Sequence, residues 1–402
     1  MQVGLGFSKK REIHLAAEEA LWQAKAQIGQ EKIDLAIVFS SIEFATNVLL
    51  RTLEGYLQDT PIIGCSSAAI IFNSNIYKNG LALLLISAKD VSLSFAAVKE
   101  IKKRGAAVAG QELGDNLLQN FRGTKRDLAM IFCDGLMEEG SKLILGLQQK
   151  LGTSFPIAGA SASDNLKFNK TFLYFNHEVI TDAAVGILWG GKLNFALSLK
   201  HGWKPLGKPR FVTMSEGNII NEIDNQPAVD LYKDYFAKDV PDLKRELKYI
   251  STLYPIGIYL AGEEEYLLRN IISINSDGSL TCQGEVPSAS QIRLMIGTKE
   301  SCLLATRQAA QETKKNFFLL KSELLPKVQD IKILFVFDSV SRYILLRRNA
   351  IEELRIIREM FGEDIPLVGL YTYGEQAPLK AITYQGRAHF HNQTIIVTAL
   401  GG

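Results

Sequence analysis

Three short stretches share one pattern. "PIIG" (61–64), "PIAG" (156–159) and "PLVG" (366–369) each open on a proline, run through apolar residues and end on a glycine. Each follows a continuous apolar run and a helical stripe. The runs are "DLAIVFSS" (34–41), "RDLAMIFCDG" (126–135) and "KILFVFDSVS" (332–341). The stripes are Phe44, Val48, Leu49, Leu53, Leu57; then Leu143, Ile144, Leu147, Leu151; then Leu345, Ile351, Leu354, Ile357. Each is followed by another apolar run: "NGLALLLIS" (79–87), "DAAVGILWG" (182–190) and "HNQTIIVTAL" (391–400). Short runs with no polar alternation are strands buried on both faces, which requires helices over the sheet. The repeat is too uneven for a solenoid. The predicted fold class is α/β: two domains with mixed sheets covered by helices, containing three divergent copies of a strand-helix-strand-strand unit.

The stretch between the second and third copies differs. "HGWKPLGKPRFVT" (201–213) predicts loop leading into strand, and Pro227 marks a possible helix start. Asp277-Gly278 inside an alternating segment predicts a hairpin. A strand, a turn and a helix are expected over 293–313. The expected division is residues 1–210 and 211–402. At the N-terminus, Ser8 is expected to cap a helix reaching Gly29, with Ala16, Ala17, Ala20, Leu21 and Ala24 on its buried face.

Charge narrows the partners. Lys plus Arg is 45 and Asp plus Glu is 43, so no phosphate-tracking surface and no nucleic acid is expected. "IKKRG" (101–105) reads as a solvated loop. The four cysteines contain no C-x-x-C pair, and Cys65 and Cys133 end apolar runs as small buried residues. His389 and His391 lie two apart and are too few for a zinc site, so they read as a surface pair; no metal or cofactor is expected. Glu263, Glu264 and Glu265 read as a solvated turn. No leader and no membrane-spanning run is seen, so the expected location is the cytoplasm, without membrane insertion.

"GCSSAA", "IAGASASD", "KHGWKP", "GNIINEIDNQPAVDLY", "YPIGI", "LRNIISINSDGSL" and "YTYGEQAP" occur in this order and resemble the FIST family, with its FIST N and FIST C halves. The resemblance covers nearly the whole chain. It implies an intracellular sensory domain that binds a small ligand, with an amino acid as the class suggested. Because the pattern fills the chain, it implies a stand-alone sensor acting through a separate signalling protein. Ala69 stands where family members often carry a second glycine.

Gly64-x-Ser66-x-Ala68 is close to the nucleophile elbow of serine hydrolases, so a hydrolase using Ser66 or Ser161 is one alternative. The third copy carries Tyr371 where a nucleophile would stand, which favours a shaped loop over catalysis. A scaffold without a ligand is the other alternative. Ligands in open α/β sheets collect beyond the carboxyl ends of strands. The candidate ligand-binding residues are therefore Ser66, Ser67, Ser161, Ser163, Asp164, His201, Trp203, Asp338, Arg342, Tyr371, Tyr373 and Glu375. The serines would donate to a carboxylate, Asp164 would accept from an ammonium, and Arg342 would clamp a carboxylate or pair with Asp338.

Overall fold

The computed structural model describes residues 1–324, 330–379 and 386–402. The first unit contains β1 (Gln2–Ser8), α1 (Ile13–Ile28), β2 (Leu35–Ser40), α2 (Asn47–Leu57), β3 (Ile62–Ser66), the hairpin β4 (Ile70–Phe72) and β5 (Asn75–Tyr77), and β6 (Leu81–Ser87). The second has β7 (Val91–Lys99), the short α3 (Ile101–Arg104), α4 (Ala106–Asn120), β8 (Arg126–Cys133), α5 (Gly140–Leu151), β9 (Ile157–Ser161), the hairpin β10 (Leu173–Phe175) and β11 (Glu178–Ile180), and β12 (Ala183–Gly191). The third opens with β13 (Asn194–Lys200).

An insertion then intervenes: β14 (Lys204–Glu216), β15 (Ile219–Ile223), β16 (Gln226–Pro227), α6 (Asp230–Phe236), α7 (Val240–Leu253), β17 (Ile256–Ile258), β18 (Leu267–Arg269), β19 (Ile271–Ile274), β20 (Leu280–Cys282) and β21 (Gln291–Ile296). The third unit resumes with α8 (Lys299–Leu324), β22 (Ile333–Ser339), α9 (Val340–Leu346), α10 (Ala350–Phe361), β23 (Leu367–Thr372), the hairpin β24 (Glu375–Pro378) and β25 (Ala388–His391), and β26 (Ile395–Gly401).

Among the described residues the three units form three six-stranded sheets of one design. Their orders are β1-β6-β2-β3-β10-β11, β7-β12-β8-β9-β24-β25 and β13-β26-β22-β23-β4-β5. Each centres on one parallel pair, β2–β3, β8–β9 or β22–β23. Each hairpin is handed to a neighbouring unit: the first unit's to the third, the second's to the first, the third's to the second. The exchange is cyclic, so the three copies close into a pseudo-threefold ring. Phe39, Phe132 and Phe337 occupy equivalent positions on β2, β8 and β22 and meet edge to face, with ring centroids 5.4 and 5.9 Å apart. They lie in one core drawn from all three units.

The recurring glycine is explained by strand contact. Gly64 pairs with Val38, Gly159 with Ile131 and Gly369 with Val336. A methyl group at Gly64 or Gly369 would stand 1.8 or 1.9 Å from the carbonyl oxygen of Val38 or Val336. At Gly159 it would meet the Gln376 and Ile131 side chains at 2.6 Å.

Several local expectations are corrected. Ser8 ends β1 and its hydroxyl donates to Glu19, so it does not cap α1, whose first residue is Ile13. Residues 101–104 form α3 rather than a loop. Pro227 lies in β16, and the following helix begins at Asp230. The Asp277-Gly278 turn does join β19 to β20, with Gly278 at φ 84°. The insertion builds a separate antiparallel sheet, β18-β17-β21-β14-β15-β20-β19. It leaves the ring at His201–Trp203 and rejoins it at Gly297–Thr298, and residues 210 and 211 both lie within β14. No helix among the described residues is long and apolar enough to cross a membrane.

Candidate functional site

The strand ends after the three glycines do converge, but on one another. Ser66, Ser161 and Tyr371 are equivalent: their backbone N–H groups donate to the carbonyls of Phe172, Gly374 and Ala69, each the residue just before an incoming hairpin. All three are buried. The Ser66 hydroxyl donates to the Ser163 carbonyl at 2.9 Å and accepts from the Phe172 N–H at 3.0 Å. Ser67 donates to the Ala69 carbonyl at 2.6 Å. Ser163 accepts from the Ala68 N–H at 2.8 Å and donates to the Tyr371 carbonyl. Ser161 accepts from the Gln376 amide at 2.9 Å and lies 3.3 Å from the Cys133 sulfur. None of these bonds involves a histidine, so the geometry offers neither Ser66 nor Ser161 the base a nucleophile needs. Ala69 sits in this weave as a buried residue whose carbonyl is the acceptor.

Asp164 is the anchor of a loop. Its carboxylate accepts the N–H groups of Lys167 (2.9 Å), Phe168 (3.0 Å), Asn169 (2.8 Å) and Lys170 (3.2 Å), and the Tyr373 hydroxyl. Burial pushes its carboxyl up, but these donors outweigh burial and leave it below the usual carboxylate range. The loop holds Phe168 at φ 53°, with its exposed ring stacked 4.2 Å from the Tyr373 ring.

Arg342 is fully buried and wholly engaged. Its Nε lies 2.9 Å from Asp338 Oδ1, Nη1 donates to the His201 carbonyl at 2.5 Å, and Nη2 donates to Glu353, to the Cys302 carbonyl (3.0 Å) and to Thr306 (2.8 Å). Two carboxylates therefore face one guanidinium, and burial together with Glu353 pushes the Asp338 carboxyl well up. Tyr371 lies beside this cluster, its ring 4.7 Å from Tyr343. Glu375 is equally deep; it accepts from Thr372 and from the Thr394 hydroxyl at 2.8 Å, and burial raises its carboxyl to about 8.

His201 accepts the Trp203 N–H at Nδ1 (2.9 Å), which leaves Nε2 to face Glu265 at 2.9 Å. Glu265 also meets Lys200 at 3.4 Å. Burial opposes its ionisation, yet His201 and Lys200 hold it down at about 2. The last member of the acidic run is thus an ion-pair partner, correcting the solvated turn. Trp203 is buried and donates to the Thr252 carbonyl at 3.2 Å. His389 and His391 are likewise no surface pair: His391 is fully buried and bonds the Ala377 carbonyl at 2.9 Å, and burial lowers both rings, His389 to about 4. Among the described residues no cluster of three or more His, Cys, Asp or Glu could hold a metal.

An open space does lie beyond the strand ends. A cleft of about 620 Å³ is walled on the ring side by Gly135–Glu138 after β8, Phe168, Ser339–Ser341 where β22 passes into α9, and Tyr373. On the other side stand Lys244, Leu247, Lys248, Ser251 and Thr252 of α7, with Asn270, Ile271, Ile272 and Gln283. Of the twelve sequence-derived candidates, only Tyr373 lines it. A larger cleft of about 810 Å³ opens at the opposite ends of β2 and β3, around Lys32 and Thr60. The smaller one is the better candidate, because it combines apolar walls, a few polar groups and a position between the ring and the insertion. Its floor joins the two parts: the Gln393 amide donates to the Ser251 and Thr252 carbonyls at 3.1 Å and to Asn270 at 2.6 Å, and Gln283 donates to the Tyr373 carbonyl. The lysines of "LKRELKYIST" and the "LMEEG" turn were visible in the sequence, but nothing there marked them as facing each other.

The fold is a threefold α/β ring carrying an inserted domain, with a cleft between the two. Residues 34–226 match the FIST N domain and residues 228–378 the FIST C domain. The chain belongs to the FIST family, whose domains are sensory domains. An uncharacterized protein of Methanocaldococcus jannaschii is 27% identical over 260 residues, 58% of this chain and 48% of its own length. The chain thus spans about half of that relative. An uncharacterized protein of Mycobacterium tuberculosis is 24% identical over 398 residues, covering 94% of this chain and 95% of its own. A solved cyanuric acid hydrolase aligns over 99% of both chains at 8% identity, with a TM-score of 0.38.

Proposed function

We propose that this chain is a sensory module that binds a small amphipathic ligand, an amino acid by chemical class, in the cleft between ring and insertion. The carrying observation is that one cleft is walled by the ring on one side and the insertion on the other, with chain crossings at His201–Trp203 and Gly297–Thr298 and a hydrogen-bonded floor between them. A ligand touching both walls would bind best when α7 is drawn towards the strand ends, and so would shift the population of closed states. Apolar groups such as Leu136, Leu247 and Ile271 suit a hydrocarbon body, while Lys248 and Glu138 suit a carboxylate and an ammonium. The buried serines, Asp164, Arg342 and Glu375 then serve as the frame that positions Tyr373 and Phe168. The closed state would be read by a separate signalling protein. Four free, buried thiols favour a reducing compartment, the cytoplasm.

A thermal-shift screen across the amino acids tests this. A ligand at a hundred times its Kd should stabilise the fold by about 2.7 kcal/mol. Leu247→Trp, which fills the cleft, should keep the fold by circular dichroism and lose the shift. No shift with any member of the panel would overturn the proposal.

A further inference from the structure

Charge on the cleft walls narrows the ligand further. On α7, Arg245 pairs with Asp242 and Lys238, just before the helix, reaches Glu246. Lys244 and Lys248 face the cleft instead, and among the described residues neither has a carboxylate partner; Lys248 lies 5.3 Å over the Phe168 ring. They are four residues apart, which puts them on one helix face with Cβ atoms about 5–6 Å apart. Across the cleft, Lys142 is taken by Glu139 at 2.5 Å and Glu285 at 3.8 Å, while Glu138 has no cationic partner among the described residues.

The neutral polar side chains of the lining already take part in hydrogen bonds within the protein. The Asn270 amide donates to Gln283 at 3.1 Å, Gln283 donates to the Tyr373 carbonyl, and Ser339 accepts the Gln393 N–H at 3.2 Å. The charges free to meet a ligand are therefore two positive on one wall and one negative on the other. An occupant complementary to them carries two anionic groups and one cation. Resting on the ligand-binding proposal above, we infer that the cleft selects an acidic amino acid: its two carboxylates meet Lys244 and Lys248, its ammonium meets Glu138, and its methylenes lie along Leu247 and Ile271.

Isothermal titration of the full chain with L-glutamate, L-glutamine, L-leucine and glutarate tests this, glutamine and glutamate being nearly the same shape. Glutamate should bind at least tenfold tighter than glutamine or leucine, and its affinity should fall as salt rises from about 50 to about 300 mM. At least one of Lys244→Met and Lys248→Met should erase the preference for glutamate over glutamine. Both lysines are exposed, so unchanged melting of the unliganded variants is the folding control. Glutarate, lacking the ammonium, should bind at least tenfold more weakly than glutamate, and Glu138→Gln should close that gap. Glutamine or leucine binding as tightly as glutamate would overturn this selectivity while leaving the ligand-binding proposal standing. Absence of binding by every amino acid would overturn both.

Discussion

The hydroxyl of Tyr373 donates to Asp164 Oδ1, so the one sequence-derived candidate that lines the cleft hangs on a buried carboxylate that lines none of it. The same carboxylate gathers four backbone N–H groups of the loop that presents Phe168. Asp164 thus shapes the cleft from behind.

Asp164→Ala should strand those N–H groups and release the loop, lowering stability by about 3 kcal/mol. Tyr373→Phe removes one bond and should cost about 1 kcal/mol. Because the folded carboxyl lies below its unfolded value, its contribution is present above that unfolded value and is lost as pH falls through the folded one. Urea unfolding at pH 7 and pH 3 measures both. A wild-type advantage over Asp164→Ala that stays the same at both pH values would contradict the assignment.

The threefold plan was legible because its signal is local. Apolar runs and helical stripes reported strands and helices that repeat three times, and the glycines of "PIIG", "PIAG" and "PLVG" marked equivalent points. The opening strands β1, β7 and β13 escaped notice: β1 carries two glycines, while in β7 the alternation of Val91, Leu93 and Phe95 with serines was a legible signal that went unread. The hairpin exchange was illegible, because it is decided by contacts between residues more than a hundred apart, such as Leu173 with Cys65. That Tyr373 is the one candidate to line the cleft has a related reason. Polar residues at strand ends look alike in sequence whether they face a ligand or, like Ser66 and Ser163, face each other.

The repeated glycines give a sharp contrast. Gly369→Ala would place its methyl 1.9 Å from the Val336 carbonyl oxygen and should cost about 3 kcal/mol by forcing β22 and β23 apart. Gly55 sits exposed in α2, and a methyl there would meet nothing within 4 Å, so Gly55→Ala should gain about 0.5–1 kcal/mol through reduced unfolded-state entropy. Parallel denaturant titrations compare them. Similar stabilities for the two variants would show that strand contact is not what holds the glycine.

Arg342→Met would leave Asp338 and Glu353 buried without their cation and should destabilise by about 3–5 kcal/mol. Adding Glu353→Gln removes the stranded Glu353 carboxylate and should recover part of the loss. Chemical denaturation of both variants at pH 7 reads the difference. A double variant no more stable than Arg342→Met alone would refute the charge account.

A fluorophosphonate probe should leave the protein unlabelled, because the Ser66 and Ser161 hydroxyls are buried and bonded to carbonyl, amide and thiol groups. Ser66→Ala should cost about 1–3 kcal/mol by orphaning the Phe172 N–H, and should leave amino-acid affinity within about threefold. Labelling lost in Ser66→Ala or Ser161→Ala would revive the hydrolase alternative.

Glu375 takes the place in its hairpin held by Ile70 and Leu173 in the other two copies, and its register partner is the buried His391. Burial raises its carboxyl from 4.5 to about 8, so the folded chain holds this proton more tightly than the unfolded chain does. Its contribution is therefore complete below pH 4.5 and is lost as pH rises through about 8. The nearby histidines act in the opposite sense. Their folded values are lowered, so their contribution is present above pH 6.5 and falls away in acid. A comparison of variants separates the two effects, because Glu375→Gln leaves the histidines in place. The stability of Glu375→Gln relative to wild type should rise steadily between pH 5 and pH 8, measured by urea unfolding at half-unit steps. A difference that stays flat across that range would mean that Glu375 ionises in the folded chain as it does in the unfolded one.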